Sequence, residues 1–359
     1  MKQGRLRRIL ILLAAAAICM IMARFSQAYF GRSAQTLALW YTREVFPPAA
    51  MDTLLAQART QAGVRIEARC FEDEDALAAA FESARPDLLF CSRSRAVQLN
   101  GRGGLAALPE ILTAPGLPVG EEPAIGLSFF PLGARVPLLL VNSALTGANF
   151  DSLETLLDTA QGRPFLVTDD PAGLLHAAVI SSGGTMTGVP EEDGRQAGYQ
   201  AAYNQLALAV LRGNLAAVAD GAAEYVRQGL VPCAVACSTS LTGVSGRDLR
   251  FRPLPLPRDG SRQIAAELMG FALIDGGRAQ TAADFLRWLW SDTAGGDAAL
   301  AAGLAPLSPA RDLSGTGGLT GALYDLSQSG RLCFPTDGEG FYLRRADCSR
   351  RLREAFDLL

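Results

Sequence analysis

The chain of 359 residues has one histidine, His176. A general base needs partners within reach, so a solitary imidazole between apolar neighbours reads as structural. His-Glu-x-x-His and closely spaced Cys/His sets are missing, so no metal site is expected. The nucleophile elbow Gly-x-Ser-x-Gly is absent, as is the phosphate-binding Gly-x-x-x-x-Gly-Lys loop. Gly315 to Thr320 comes near the dinucleotide pattern, yet Thr320 stands in the last glycine's place and no strand precedes it. These gaps leave no catalytic residue to name and no cofactor to expect, and point to a protein that is not an enzyme. A basic excess is missing too. Lys and Arg number 33 against 36 Asp and Glu, a formal charge of −3. Five of the cations (Lys2, Arg5, Arg7, Arg8, Arg24) fall in residues 1–28, where no acid occurs. The remainder is more acidic still, which argues against a nucleic-acid partner.

Long hydrophobic runs are scarce. Ile9 to Ala23 is fifteen residues, short for a membrane span. With its basic start and the small residues of Ser26-Gln27-Ala28, segment 1–28 reads as a signal peptide or a membrane anchor. Lipidation at Cys19 is a third option, although Ile18 is larger than the residue such a signal wants. In each case the remainder works outside the cytoplasm, at the outer face of the cytoplasmic membrane. Six cysteines follow Cys19, an even number that permits disulfides. Cys333 and Cys348 are the best pair by spacing. Cys70 and Cys91 end two strands expected to flank a third, too far apart to bond.

What is present begins at Leu37. Leu37-Ala38-Leu39-Trp40-Tyr41 is a short apolar run, as a buried strand should be. Pro47-Pro48 open a helix, where a missing N–H costs nothing. Met51, Leu54, Leu55, Ala58 and Ala62 give it an apolar face, and Gly63 closes it. Val64 to Phe71 alternates as a strand does. The acidic run Glu72 to Asp75 suits a helix N-terminus, and Leu88-Leu89-Phe90-Cys91 is a third strand. Strands joined by helices make a parallel sheet with right-handed crossovers, whose ligands sit beyond the strand C-termini.

Further on, a strand is expected to end at Asn142, and helices over 153–160, 174–180, 198–211, 215–228, 282–290, 319–328 and 346–357. Strands are expected at 164–168, 230–236 and 268–274. The order is one α/β block, a second α/β block, a return and a helical tail. Two lobes with more than one crossing make a hinged clamp with the ligand between them. Lobe 1 is expected to hold 36–142 and 262–305, and lobe 2 to hold 143–261 and 306–359. The hinge is expected near Asn142-Ser143 and Arg258 to Arg262.

Over residues 36–359 the chain resembles the extracellular solute-binding proteins of ABC importers, the family that includes maltodextrin-binding protein. The likeness rests on Leu37 to Tyr41, on Pro86 to Arg95 followed by Gly104-Leu105, and on Phe130 to Asn142. It rests also on Ala283 to Asp292 and Gly303 to Pro306. It implies an α/β fold, the two-lobed type II periplasmic-binding-protein clamp, each lobe a mostly parallel sheet flanked by helices. It implies a monomer that captures a small-molecule solute, often a sugar, and delivers it to ABC permease subunits. An anionic solute, a sensor that presents its solute to a membrane receptor, and a secreted hydrolase are the alternatives.

Ligand groups should come from strand ends of both lobes. From lobe 1 these are Tyr41, Thr42, Arg43, Ser92, Arg93, Ser94 and Arg135; from lobe 2, Asp169, Ser238, Thr239 and Tyr342. Tyr41 and Tyr342 would offer faces to a sugar ring. Ser, Thr and Asp would bind hydroxyls. Arg43, Arg93, Arg95 and Arg135, if they converge, would suit a carboxylate or phosphate. Gly173, Leu174 and Thr239 stand where maltodextrin-type proteins place aromatic rings, which counts against a maltodextrin ligand.

Overall fold

The computed structural model describes residues 36–100, 104–106, 129–148, 150–159, 165–181, 193–219, 221–254, 263–274, 278–334 and 354. The expected signal or anchor 1–28, the tail helix near 346–357, Tyr342 and Cys348 lie outside them, as does the expected hinge at Arg258 to Arg262. No helix among the described residues is long and apolar enough to cross a membrane.

The N-terminal block forms as its residues dictate. Strand β1 (Leu37–Thr42) leads to helix α1 (Pro48–Gln57), which starts with proline in its first turn. One π-helical turn, Ala58–Ala62, extends α1 to Gly63, which takes the left-handed conformation that glycine reaches without a Cβ clash. Strand β2 (Ile66–Phe71) is followed by α2 (Glu74–Ser83). The Asp73 carboxylate caps α2 by accepting the Ala76 N–H at 2.7 Å. Strand β3 (Leu88–Ser92) runs straight into α3 (Arg93–Asn100). Strands β2 and β3 both pair parallel to β1, one on each side.

Strands β4 (Phe129–Arg135) and β5 (Pro137–Asn142) are separated by Val136 alone. They belong to different sheets. The first sheet adds β11 (Glu267–Leu273) and β12 (Ala305–Pro306), in the order β12-β4-β11-β3-β1-β2. The second holds β6 (Leu166–Thr168), β7 (Leu215–Ala217), β8 (Cys233–Cys237) and β9 (Leu249–Pro253), in the order β7-β6-β8-β5-β9. The chain therefore changes sheets at Val136, earlier than the expected Asn142-Ser143. Residues 137–142 pair with β8 and β9, not with the first sheet. A two-stranded ribbon joins β10 (Ile264–Ala265) to β13 (Leu332–Cys333).

Most strands of each sheet run one way, with β11 and β12 reversed in the first sheet and β5 in the second. Strands β11 and β12 come after the return from the second sheet and run opposite to β1, β3 and β4. Strand β5 enters the second sheet from the crossing and so runs opposite to β8 and β9. A strand that starts at the crossing must run away from it, while its neighbours run towards it.

Helices α4 (Leu153–Asp158), α5 (Pro171–Ser181) and α6 (Asp193–Leu211) pack on the second sheet, with α7 (Ala222–Arg227) beside β8. The alanine-rich stretch expected to be one helix over 215–228 is the short strand β7 and then α7. Gly213 and Gly221 take positive φ on either side of β7 and break the helical path.

Three cores follow. Leu37, Leu39 and Tyr41 of β1 share one with Phe90, Phe271, and Phe285 of α8 (Ala279–Ser291). The Phe90–Phe271 and Phe271–Phe285 ring centres are 4.9 and 5.5 Å apart, at edge-to-face angles. Leu139, Leu166, Leu174, Leu206 and Val235 fill the second. The third bridges the crossing, joining Ala134 and Val136 to Leu138, Ala236, Ala305, and Leu300 of α9 (Ala294–Ala301). Helix α10 (Gly318–Gln328) adds Leu319, Leu323 and Leu326 to it. Each fully buried Leu or Phe contributes about 1.5–3 kcal/mol.

Candidate functional site

The candidate site lies where the chain changes sheets. Arg135 and Glu267 from the first sheet, Pro137 from the second, and Asp170, Gly173 and His176 at the start of α5 line one small cavity of about 20 Å³. That volume holds about one water molecule.

A backbone irregularity builds the first wall. From Ala272↔Phe129 to Gly270↔Pro131 the antiparallel register of β11 on β4 is regular, then shifts by one residue between Gly270 and Met269. Leu132 is the extra residue of this bulge. The shift sets Glu267 opposite Arg135 instead of Ala134. Gly270 is required there, since a Cβ would lie 2.1 Å from the Phe130 carbonyl oxygen. Pro131 is tolerated at the bulge, where a ladder bond is already lost.

Glu267 accepts from the Arg135 guanidinium through Oε2 and from the Ser94 hydroxyl through Oε1 at 2.6 Å. Ser94 Oγ in turn lies 2.9 Å from Ser92 Oγ, and Ser92 Oγ accepts the Arg95 N–H at 3.2 Å. The ends of β3, β4 and β11 are thus tied by one buried polar chain. The Arg135 and Glu267 side chains are 10% and 9% exposed. Burial pushes the guanidinium down, but the Glu267 carboxylate outweighs it and holds Arg135 above its ordinary value.

The second wall is the start of α5. Asp170 Oδ1 accepts the Gly173 N–H at 3.0 Å, an N-cap that fixes the carboxylate at the helix end. A Cβ on Gly173 would lie 2.1 Å from Asp170 Oδ2, so glycine leaves room for that carboxylate. His176, one turn on, is 4% exposed. The sequence marked His176 as structural and passed over Asp170 and Glu267. Glu267 had no detectable signal, because its role depends on the bulge. Asp170 followed by Pro171 was a readable cap.

The named residues divide. Ser92, Ser94 and Arg135 join the polar chain. Arg93 is buried at the start of α3. Tyr41 shares the core face of β1 with Leu37 and Leu39, because side chains alternate, and is 3% exposed. Its ring does not face the cavity, and burial, with Cys70 beside it, pushes its hydroxyl pKa up. Thr42 is buried, and its Oγ1 has no hydrogen-bond partner. Arg43 is exposed and pairs with Glu72 at 3.1 Å. Arg95 donates to Gln98 and to the Glu74 carbonyl at 2.9 Å. The arginines do not converge on the cavity.

In the second sheet Asp169 turns away from it, and its Oδ2 accepts the Ala222 N–H at 3.0 Å, at the start of α7. Ser238 clasps the crossing. Its Oγ accepts the Val136 N–H at 3.2 Å and its N–H donates to the Val136 carbonyl at 2.9 Å. The Thr239 hydroxyl lies 3.2 Å from Cys237 Sγ. Gly303, at φ +76°, presses on this turn, where a Cβ would lie 2.5 Å from the Ser238 carbonyl oxygen.

The free cysteines among the described residues are Cys70, Cys91, Cys233, Cys237 and Cys333. Cys70 and Cys91 sit on strands separated by β1. Burial pushes the Cys91 and Cys237 thiols up, and Cys233 to about 12. Among the described residues no group of His, Cys, Asp and Glu could hold a metal ion.

The chain matches no known sequence family and no curated protein sequence. Solved structures do match. The substrate-binding protein PotD of a spermidine/putrescine ABC transporter from Streptococcus pneumoniae aligns over 90% of this chain and 99% of its own, with TM-score 0.67 and 14% identity. The maltodextrin-binding protein MalE1 from L. casei gives TM-score 0.66 and 14% identity over 90% and 94% of the two chains. UgpB from Mycobacterium tuberculosis, solved with glycerophosphocholine, gives 0.66 and 16% over 90% and 98%. The fold is that of the type II periplasmic-binding proteins.

Proposed function

We propose that this chain is the extracytoplasmic solute-binding component of an ABC importer, and that its solute is a small carbohydrate or polyol held between the two sheets. One observation carries this reading. A small cavity with charged side chains in its wall lies at the crossing between the sheets, with Arg135 and Glu267 on one side and Asp170 and His176 on the other. Ligands of α/β folds sit at such strand-end crevices. Acidic and guanidinium groups with fixed geometry suit hydroxyls, which donate and accept at once. The cavity is too small for a sugar until the sheets part, and rotation about the Val136 crossing would part them. PotD, MalE1 and UgpB, which share the fold, are named or solved as binders of small solutes.

An anionic solute fits less well, because Arg43, Arg95 and Arg135 each already have partners. The work is binding without turnover, on the outer face of the membrane and alongside permease subunits. The test is a thermal-shift screen of the purified protein against sugars, polyols, amino acids, polyamines and organic anions, followed by calorimetry on the hits. Saturable stabilisation by a sugar or polyol, with the compound recovered unchanged, is the expected result. Stabilisation by no solute, or conversion of the compound bound, overturns the proposal.

A further inference from the structure

Building on that reading of the cavity, we infer that the site takes neutral hydroxyl-bearing solutes and discriminates against their acids, and that Glu267 sets this choice. Among the described residues, Arg135 is the one guanidinium in the cavity wall. It is spoken for, since Glu267 Oε2 holds it. Glu267 is itself held from behind by the Ser94 hydroxyl at 2.6 Å. The carboxylate therefore cannot swing away without giving up the Ser94 hydrogen bond and leaving the Arg135 guanidinium without its counter-charge in a buried place. A solute carboxylate reaching for Arg135 would have to displace Glu267 or lie against it, with little solvent to screen the two like charges.

The opposite wall adds to this. Asp170 is fixed at the α5 N-terminus by the Gly173 N–H, and its second oxygen lies over Gly173, where no side chain covers it. An anion would thus face carboxylates from both sheets. A neutral hydroxyl faces no such penalty. It donates to Asp170 or Glu267 and accepts from Arg135 without disturbing the pair. Selection here works by repulsion of the wrong solute as much as by attraction of the right one.

The test is calorimetry with matched solutes: glucose, galactose, xylose and inositol against glucuronate, galacturonate and gluconate. The parent protein should bind at least one neutral member, and the corresponding acid about tenfold more weakly or worse. Glu267→Gln keeps the shape but frees Arg135 of its counter-charge, and should move the acid-to-neutral affinity ratio about tenfold towards the acid. Arg135→Gln combined with Glu267→Gln should bring the ratio back towards the neutral solute. Asp170→Asn preserves the helix cap, so it stays folded if Glu267→Gln does not, and should relax the rejection of acids in its own right. A parent that binds an acid as tightly as its neutral partner overturns the inference and leaves solute binding standing. So does an unchanged ratio in a natively folded Glu267→Gln or Asp170→Asn. Binding of no member of the series overturns the carbohydrate reading beneath it as well.

Discussion

The strand ends of the two sheets carry similar polar residues and put them to different uses. In the first sheet Ser92, Ser94, Arg135 and Glu267 bond to one another and present a charged pair to the cavity. In the second, Asp169 caps α7 and Ser238 clasps the backbone of the crossing. Asp170 combines both uses, capping α5 and facing the cavity. On the proposed reading, the first sheet supplies the preorganised recognition surface, and the second mostly secures the joint about which that surface would close. Replacing residues of the first set should change what is bound. Replacing those of the second should change stability and leave selectivity alone.

The largest effect is expected at the buried pair. Arg135→Ala or Glu267→Ala leaves a buried charge without its partner and should cost about 3–5 kcal/mol in urea unfolding. Replacing both with leucine should cost less than either alone. A double variant as costly as the sum of the singles would show that the two do not act as a pair.

Next comes the joint. Gly303→Ala meets both a left-handed backbone and a carbonyl oxygen at 2.5 Å, and should cost about 2–3 kcal/mol. Gly315 has a similar φ of +72° and nothing within 4 Å, so Gly315→Ala should cost about 1 kcal/mol. Equal losses would mean that the contact with the Ser238 turn carries no energy.

Ser238→Ala removes the acceptor of the buried Val136 N–H and should cost about 1–2 kcal/mol. Asp169→Ala removes one helix cap, a loss of about 1 kcal/mol. Calorimetry on both variants should return the parent's ratio of acid to neutral affinities. A changed ratio would blur the division between the sheets.

At neutral pH the smallest effect is expected at Cys233, which acts only in alkali. Its folded thiol is pushed up to about 12 by burial, above its ordinary 9.0. A raised pKa gives a contribution that is complete below the unfolded value and is lost as pH rises towards the folded one. Stability should therefore fall between about pH 9 and 12, and less so in Cys233→Ala. In the folded protein a maleimide at pH 7.5 should label the exposed Cys70 and spare Cys91 and Cys233.

Much of the frame was legible in the sequence. Pro48 and Gly63 bound α1, Asp73 caps α2, and the apolar runs at 37–41 and 88–91 became neighbouring parallel strands. Local chemistry determines such features, so local reading finds them. The break at Val136 was not legible, since Phe129 to Asn142 is one near-continuous apolar stretch and nothing in it says that its halves serve different sheets. Tyr41, expected to offer its ring to a sugar, alternates with Leu37 and Leu39 and lies in the core with them. Glu267 was unreadable, because its partner is chosen by a one-residue bulge on a strand far away in the chain.

Strand β2 carries a different consequence. It forms the border of the first sheet, and Glu67, Ala68, Arg69 and Cys70 are exposed along it. An open border of this kind invites another strand to add on, as in aggregation. Charged Glu67 and Arg69 alternate with small residues here, and the Arg69 guanidinium is folded back over the Trp40 and Phe71 rings at 5.4 and 4.6 Å. An incoming strand would have to bury both charges and disturb that stack. The border is thereby guarded against self-association through strand addition.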